Sequence, residues 1–351
     1  MTRVVGIDPG TVSIDVCGTV DGQLYLDRSW PTEEALAHPE GLIEFLTQSG
    51  SPDLIAGPSG YGLPLLRSAD ATEPDLRLAF LAAPEEPGGI GGLRGLAKRL
   101  GASGLPVVYT PGVMHLDTVP DHRKINRVDL GTADKVCAAV LGIQDQARRL
   151  SCSPEAVSFI LIELGGAFTA AVAVERGQIV DGIGGTSGPI GWHAAGALDG
   201  EVAFLAGRIS KAALFQGGVS SLIQRDPART SMAREAYLEG AAKAVRQLRC
   251  SAPSARDILL SGRHAADPEI QERLRADLVD LGAVRTLTGF AAHAKQGAQG
   301  AALLADGLAG GRHADMVSRL RIREARGTVL DHLAFITPAA ARQRLGLSGN
   351  D

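Results

Sequence analysis

The segment VVGIDPGTVSIDVCGTVDGQLYLDRSW, starting at Val4, has a counterpart in FILIELGGAFTAAVAVERGQIVDG, starting at Phe159. Each reads as an apolar strand ending in an acid, a glycine turn, a second strand, a tight turn and a third strand. The two run in register: Asp8 falls on Glu163, Gly10 on Gly165, Gly22 on Gly177 and Gln23 on Gln178, all at one offset. Glycine at a tight turn is common, so any single match is weak. Four matches at one large spacing predict two related lobes.

The 351 residues suffice for two ordinary domains sharing a cleft. After the first hairpin block the pattern predicts a helix near Glu33–Gln48, a strand at Leu54–Ala56 ending in GPSGYG, a strand at Val107–Tyr109 and a long helix from about Thr132 to Leu150. Between those strands, Ala82–Gly95 is rich in Pro and Gly and reads as a surface excursion. The second half predicts a helix from about Ala233 to Arg249, a strand at Asp257–Leu260 ending in SGR, a helix at Pro268–Leu281, a strand at Val284–Leu287, and the small-residue helix AKQGAQGAALLADGLAG. Hairpin sheets followed by alternating helices and strands indicate α/β lobes. The expected division is a first lobe over 1–150, a second over 151–310 whose last helix returns to the first, and a helical appendage over 311–351.

Composition excludes several classes. Hydrophobic residues make up 45% and charged residues 21%, as in a folded globular chain. A net charge of -4 and the lack of a dense basic run give no reason to expect nucleic acid. Cys17, Cys137, Cys152 and Cys250 are scattered, without a CxxC pair, which speaks against a disulfide framework or zinc site and suits a reducing cytoplasm. The chain opens on a strand signal, MTRVVGID, leaving no room for a signal peptide. The apolar run Ala156–Val174 holds Glu163 and Gly165-Gly166 at its middle, so it reads as two buried strands around a turn, and no membrane span is expected.

Two glycine turns facing across a cleft suit a triphosphate, because backbone N–H groups without a Cβ approach phosphate oxygens closely. GIDPGT offers Gly10 and Thr11 beside Asp8, a candidate to hold Mg²⁺ through water. Gly165 and Gly166 are the matching turn, and Glu163 approaches from the other lobe, to bind the same hydrated metal or orient an attacking group. Taken singly, either acid fits a turn cap equally well. In LLSGR, Ser261 and Gly262 end a buried strand where backbone packs flat against a base and ribose.

GIDPGT, the ELGGAFT hairpin, the LLSGR turn and the helix with Gly297 and Gly300 resemble the phosphate-1, phosphate-2, adenosine and second connecting motifs of the acetate and sugar kinase, heat-shock ATPase and actin superfamily, over roughly residues 1–310. The runs LIAGPSGYGLPL, NRVDLGTADK, IELGGAFTAAVAVERGQIVDGIGGTSGP and GALDGE are similar to those of the predicted butyrate kinase family. The resemblance implies two duplicated ribonuclease-H-like lobes of the actin-like ATPase superfold, with ATP and Mg²⁺ in the cleft between them. One departure is plain: the second phosphate motif commonly opens with Asp, where this chain has the longer Glu163.

The resemblance also places DHRKINRVDLGTADK (121–135) at the first connection between lobes, near the transferred phosphate. Arg123, Lys124 and Arg127 are candidates to neutralise a carboxylate substrate or the transferring phosphoryl group, and Asp129 or Asp134 to act as base. The alternative for the basic trio is a solvated face. A hydroxyl acceptor needs a base; a carboxylic acid, with a pKa of about 4, is already ionised at neutral pH. In GTSGPIGWHAAGALDGE (185–201), Trp192 and His193 are candidates to line a substrate pocket, as is Tyr61, although a lone His is more often structural. The expected function is a small-molecule kinase, with a short-chain carboxylate such as butyrate among its acceptors; the rival is a non-kinase ATP-binding switch. Beyond a small substrate, a homodimer is an open expectation, with neither nucleic acid nor membrane as partner.

Overall fold

The computed structural model describes residues 1–57, 59–84 and 92–347. Pro58 of GPSGYG, residues 85–91 of the Pro/Gly-rich stretch and the last residues of the tail lie outside them.

The duplicated blocks form two antiparallel meanders: β1 (Arg3–Pro9), β2 (Ser13–Val20) and β3 (Gln23–Pro31), then β7 (Phe159–Leu164), β8 (Thr169–Glu175) and β9 (Gln178–Ile183). The second turn of each takes left-handed backbone at two successive residues, Asp21-Gly22 and Arg176-Gly177, as a tight hairpin matching strand twist requires. The bulges match as well, between Gly18 and Thr19 in β2 and between Ala173 and Val174 in β8, equivalent places in the repeat.

Each meander continues in parallel fashion. β1 pairs with β4 (Leu54–Ala56), which pairs with β6 (Val107–Tyr109) and then antiparallel β5 (Leu66–Arg67), giving the order β3-β2-β1-β4-β6-β5. β7 pairs with β10 (Asp257–Ser261), which pairs with β11 (Ala283–Thr286), giving β9-β8-β7-β10-β11. The run Ala156–Val174 is thus two paired strands, and among the described residues no helix is long and apolar enough to cross a membrane.

Two helices lie between the sheets. Helix Ala133–Leu150 packs on β7 and β8; helix Gln296–Leu308 packs on β1, β2 and β4, and the two pack on each other. Their approach needs missing side chains. A Cβ on Gly6 of β1 would stand 2.2 Å from Ala302 N, and one on Gly300 would stand 1.7 Å from Cys137 O. The loop entering helix Gln296–Leu308 is clamped to β3, with the N–H groups of Ala292, His293 and Ala294 donating to the Asp27 carboxylate at 2.6–3.1 Å. Burial opposes ionisation of Asp27, but these donors prevail and hold its pKa below the ordinary range.

Two expectations change. The helix over 33–48 is split into Thr32–Ala37 and Pro39–Gln48, because His38 precedes a proline and leaves helical geometry. The segment after 310 contains short helices Ala314–Arg319 and Pro338–Arg344, yet Met316, Val317, Leu320, Ile322, Val329 and Leu330 are buried in the same core as helix Ala133–Leu150. It is built into the body of the protein.

A side chain at Gly300 has no room against a backbone carbonyl, so Gly300→Val is expected to destabilise the fold by about 3 kcal/mol, the upper range for overpacking. Urea unfolding measures this, and an unchanged midpoint would mean that the helices do not meet there.

Candidate active site

The first turns of the meanders meet across a cavity of about 1080 Å³ lined by both lobes. A Cβ on Gly166 would lie 3.2 Å from Val12 Cγ2 and 3.4 Å from Thr11 Oγ1, so the two turns are near contact. Gly10 N donates to Ser13 O at 2.9 Å, and a Cβ on Gly10 would lie 2.8 Å from Lys295 Nζ. Gly262 has φ +87, and a Cβ there would meet Leu164 O at 2.6 Å and Glu163 Cγ at 3.0 Å, so only glycine lets the β10 turn close on the second meander.

Asp8, at the end of β1, is 7% exposed, and its Oδ1 has no hydrogen-bond partner among the described residues. Gly297, in the first turn of helix Gln296–Leu308, leaves the gap that Asp8 Oδ2 occupies; a Cβ there would stand 2.4 Å away. Burial first, then the negative charge of Asp134, push the Asp8 pKa up to about 8 against the opposing pull of Lys295 and Lys135. Beside it in the sheet is buried Asp15, whose Oδ2 accepts from Ser13 Oγ at 2.7 Å and lies 3.3 Å from Lys295 Nζ.

Across the cleft, Lys135 Nζ donates to Glu163 Oε1 at 2.8 Å and also contacts Asp134 Oδ2, tying the start of helix Ala133–Leu150 to β7. Burial raises the Glu163 pKa, with Lys135 offsetting part of the effect. At Asp134 burial loses to the Lys135 charge and to hydrogen bonds from Lys135 and Thr132, so its pKa is lowered. Burial disfavours charge on Lys135, but the two acids outweigh that and raise its pKa.

This donor set fits a hydrated Mg²⁺ carried on phosphate oxygens. Asp8 supplies a buried, unsatisfied carboxylate oxygen, and Mg²⁺ characteristically takes one or two carboxylates while keeping waters and phosphate ligands. It does not fit an all-protein metal cage, since no group of three His, Cys, Asp or Glu converges among the described residues.

A family described as "Protein of unknown function (DUF1464)" matches residues 6–335. The chain belongs to that family. Curated proteins provide no match to the sequence. Among solved structures, the fold of this DUF1464 member is similar to a propionate kinase from Francisella tularensis subsp. tularensis SCHU S4, with TM-score 0.58, 12% identity, and 86% of this chain and 99% of that chain covered. It is likewise similar to acetate kinase from Entamoeba histolytica (TM-score 0.56, 12% identity, 80% and 87% covered) and from Porphyromonas gingivalis (0.54, 13%, 80% and 88%). The architecture is that of the two-lobed actin-like ATPase superfold.

Of the sequence candidates, Asp8, Gly10, Thr11, Asp134, Glu163, Gly165, Gly166 and Gly262 line this one cavity. Ser261 lies just behind it, fully buried and paired with Glu163 in the sheet. Arg127 does not join them: it is exposed and outside the lining. Its neighbours are occupied elsewhere, Arg123 with Val180 O and Asp181, Lys124 with Leu116 O. The basic trio is therefore not a charge cluster on the cleft. Asp129 lines the cavity, but its carboxylate accepts from Gly131 N, Thr186 N and Thr186 Oγ1 at 3.0–3.1 Å, a clasp between the connection and the second lobe. Tyr61 and His193 line the cavity; Trp192 instead stacks on His264, with centroids 4.5 Å apart.

The cations that reach the cleft are Lys135, Lys211, Arg263 and Lys295, none of them among the sequence candidates. Three left a trace in the sequence: Lys135 directly follows Asp134, Arg263 closes LLSGR, and Lys295 stands second in AKQGAQGAALLADGLAG.

Lys135→Met leaves two partly buried acids without their shared cation and is expected to destabilise the protein by about 2 kcal/mol near pH 8, less as acidification neutralises them; urea unfolding across pH checks this, and a pH-independent effect contradicts it. Asp8 titrates in the opposite sense to an ordinary ion-paired acid. Its folded pKa of about 8 exceeds the unfolded value, so the stability tied to its proton is complete in acid and lost as pH climbs towards 8. The stability of Asp8→Asn relative to the parent should therefore rise between about pH 4 and 8, by up to about 1.4 kcal/mol per pH unit, and level off above. A flat difference in the same unfolding series would rule out a buried, protonated Asp8.

Proposed function

We propose that this protein is an ATP-dependent phosphotransferase that passes the γ-phosphoryl group to a small molecule, with a short-chain carboxylate such as butyrate as acceptor. One observation carries the reading: glycine turns from two copies of one hairpin face each other over a buried acid oxygen that has no partner among the described residues. The kinase names of similar folds and the resemblance of the sequence runs lend support, although similarity at 12–13% identity speaks only to fold.

The N–H groups of Thr11 and Gly166, beside the turn bonds that Gly10 N and Gly165 N already make, receive phosphate oxygens from opposite sides. Asp8 would hold a hydrated Mg²⁺, and the ion would supply charge neutralisation of the phosphates. Lys295, leading helix Gln296–Leu308, adds positive charge beside the first turn. Glu163 orients ligands from the second lobe while Lys135 fixes its position, and Gly262, with Ser261 buried behind it, forms the floor for adenosine. A carboxylate acceptor is ionised at neutral pH, so no base is required, and Asp134 serves to hold Lys135. The lobes, 1–150 and 151–310, close over the reactants and exclude water.

ADP production is expected to depend on both Mg-ATP and an added acid; nucleotide binding without turnover would favour the switch reading instead. Asp8→Ala should lower turnover by about a hundredfold or more while circular dichroism shows an intact fold. Gly165→Val should weaken affinity for a nonhydrolysable ATP analogue, and unaltered affinity would remove that turn from the phosphate site.

A further inference from the structure

Of the cations that reach the cleft, the three lysines are already engaged. Lys135 is shared by Asp134 and Glu163, Lys295 stands by Asp15, and Lys211 lies over the Tyr61 ring, 5.5 Å from its centroid. Arg263 differs: it lines the cavity, is exposed, and makes no hydrogen bond or ion pair with any described residue.

Its place is nevertheless well determined. Arg263 opens the short 3-10 turn Arg263–Ala266, directly after Gly262, whose φ of +87 lets the chain close on Leu164 and Glu163. The next residue, His264, is outside the cavity lining; it stacks on Trp192 with centroids 4.5 Å apart and meets Tyr237 edge to face at 6.3 Å. Ala265 is buried, its N–H donates to Gly262 O at 3.2 Å, and its carbonyl accepts from Gln271 Nε2 at 2.8 Å. From this fixed turn the Arg263 side chain runs to the second phosphate turn. A Cβ on Gly166 would lie 3.9 Å from Arg263 Cδ and 3.4 Å from Thr11 Oγ1 of the first lobe. The guanidinium begins one bond beyond Cδ, so it stands by the seam where the two glycine turns face each other.

We propose that Arg263 is the specificity-determining residue of the donor site, binding phosphate oxygens at this seam beside the N–H groups of Thr11 and Gly166, so that the cleft selects a polyphosphate over a bare nucleoside. The proposal rests on the phosphotransferase reading and assigns the selectivity of its donor site to a residue. A guanidinium suits the task because its planar fork offers two parallel N–H bonds to a pair of phosphate oxygens. The preference for Arg263 over the lysines follows from their partners: an anion that meets Lys135 or Lys295 competes with a carboxylate, whereas Arg263 has no ion pair to give up. The charge that the sequence offered at Arg123, Lys124 and Arg127 is supplied instead by the residue that closes LLSGR. Trp192 and His264 are positioning residues, since their stack holds the turn from which Arg263 projects. Thr11 belongs to one lobe and Gly166 and Arg263 to the other, so the clamp is complete only with the lobes together.

The test is calorimetric titration of the full-length chain with adenosine, inorganic tripolyphosphate and a nonhydrolysable ATP analogue, the last two with Mg²⁺ and again in EDTA. Arg263→Met should weaken the analogue and tripolyphosphate by at least about tenfold, with the metal and without it, and leave adenosine affinity within about twofold of the parent. Arg263→Lys should recover part of the loss. Trp192→Ala should narrow the preference for the analogue over adenosine, and Trp192→Phe should restore it; a stack that only supported the fold would weaken both ligands together. Circular dichroism of each variant should match the parent. An unchanged analogue Kd in Arg263→Met, or an equal loss for adenosine, overturns the clamp, and normal nucleotide binding by the parent beside that result leaves the phosphotransferase reading standing. Tripolyphosphate binding that Arg263→Met abolishes, in a parent that binds no nucleotide, supports the clamp and overturns the phosphotransferase.

Discussion

The close approach of helix Gln296–Leu308 to β1 is the constraint on which the cleft depends. Gly6 admits the backbone of Ala298–Ala302 where no Cβ fits, Gly300 admits the Cys137 carbonyl, and Gly297 admits the Asp8 carboxylate. These absences draw one helix against a strand, a second helix and an acid. Clamping of its leading loop by Asp27 then fixes where Lys295 emerges, beside the first glycine turn. A helix held farther out would leave Asp8 in water, with an ordinary pKa, and Lys295 out of reach of Asp15. Backbone packing thus sets the electrostatics of the site.

Lys135 does the corresponding work on the other lobe. It belongs to the helix that leaves the first lobe, yet it grips Glu163 of β7, so the connection and the second meander share one partly buried cation between two carboxylates. Glu163 is one methylene longer than the aspartate usual at the equivalent place in the superfold. The pairing with Lys135 gives that extra length a physical role, since it is the Glu163 oxygen that meets the lysine across the cleft.

What the sequence discloses, and what it hides, follows from the range of the interactions. The hairpins at Asp8 and Glu163 are legible because strand alternation and Asp-Gly or Arg-Gly turns are local, and the repeat makes each a check on the other; even the bulges at Gly18 and Ala173 correspond. Gly10, Gly165 and Gly262 are legible because turns advertise glycine. Arg127 misleads because a run of basic residues looks like a patch, while the short helix Asp121–Lys124 and the turn at Asn126, with φ +55, send its members to separate neighbours. Lys135, Lys211 and Lys295 are illegible as a set because only tertiary packing gathers residues so distant in the chain. The tail misleads in the same way. Leu320, Ile322 and Val329 show no strong periodicity, yet they complete the core under helix Ala133–Leu150.

The charge balance of the cleft bears on how its ligands depend on one another. Lys135 is committed to Asp134 and Glu163, and Lys295 to Asp15, so two of the cations near the turns are already partly neutralised. A polyphosphate entering there adds negative charge beside Asp8, whose pKa burial and Asp134 already raise. Alone, that anion favours the protonated acid; accompanied by a divalent cation, it favours the carboxylate. On the proposed reading, proton, cation and polyphosphate therefore share one control point, Asp8 Oδ1. Affinity for any one of them must then vary with the others by reciprocal linkage.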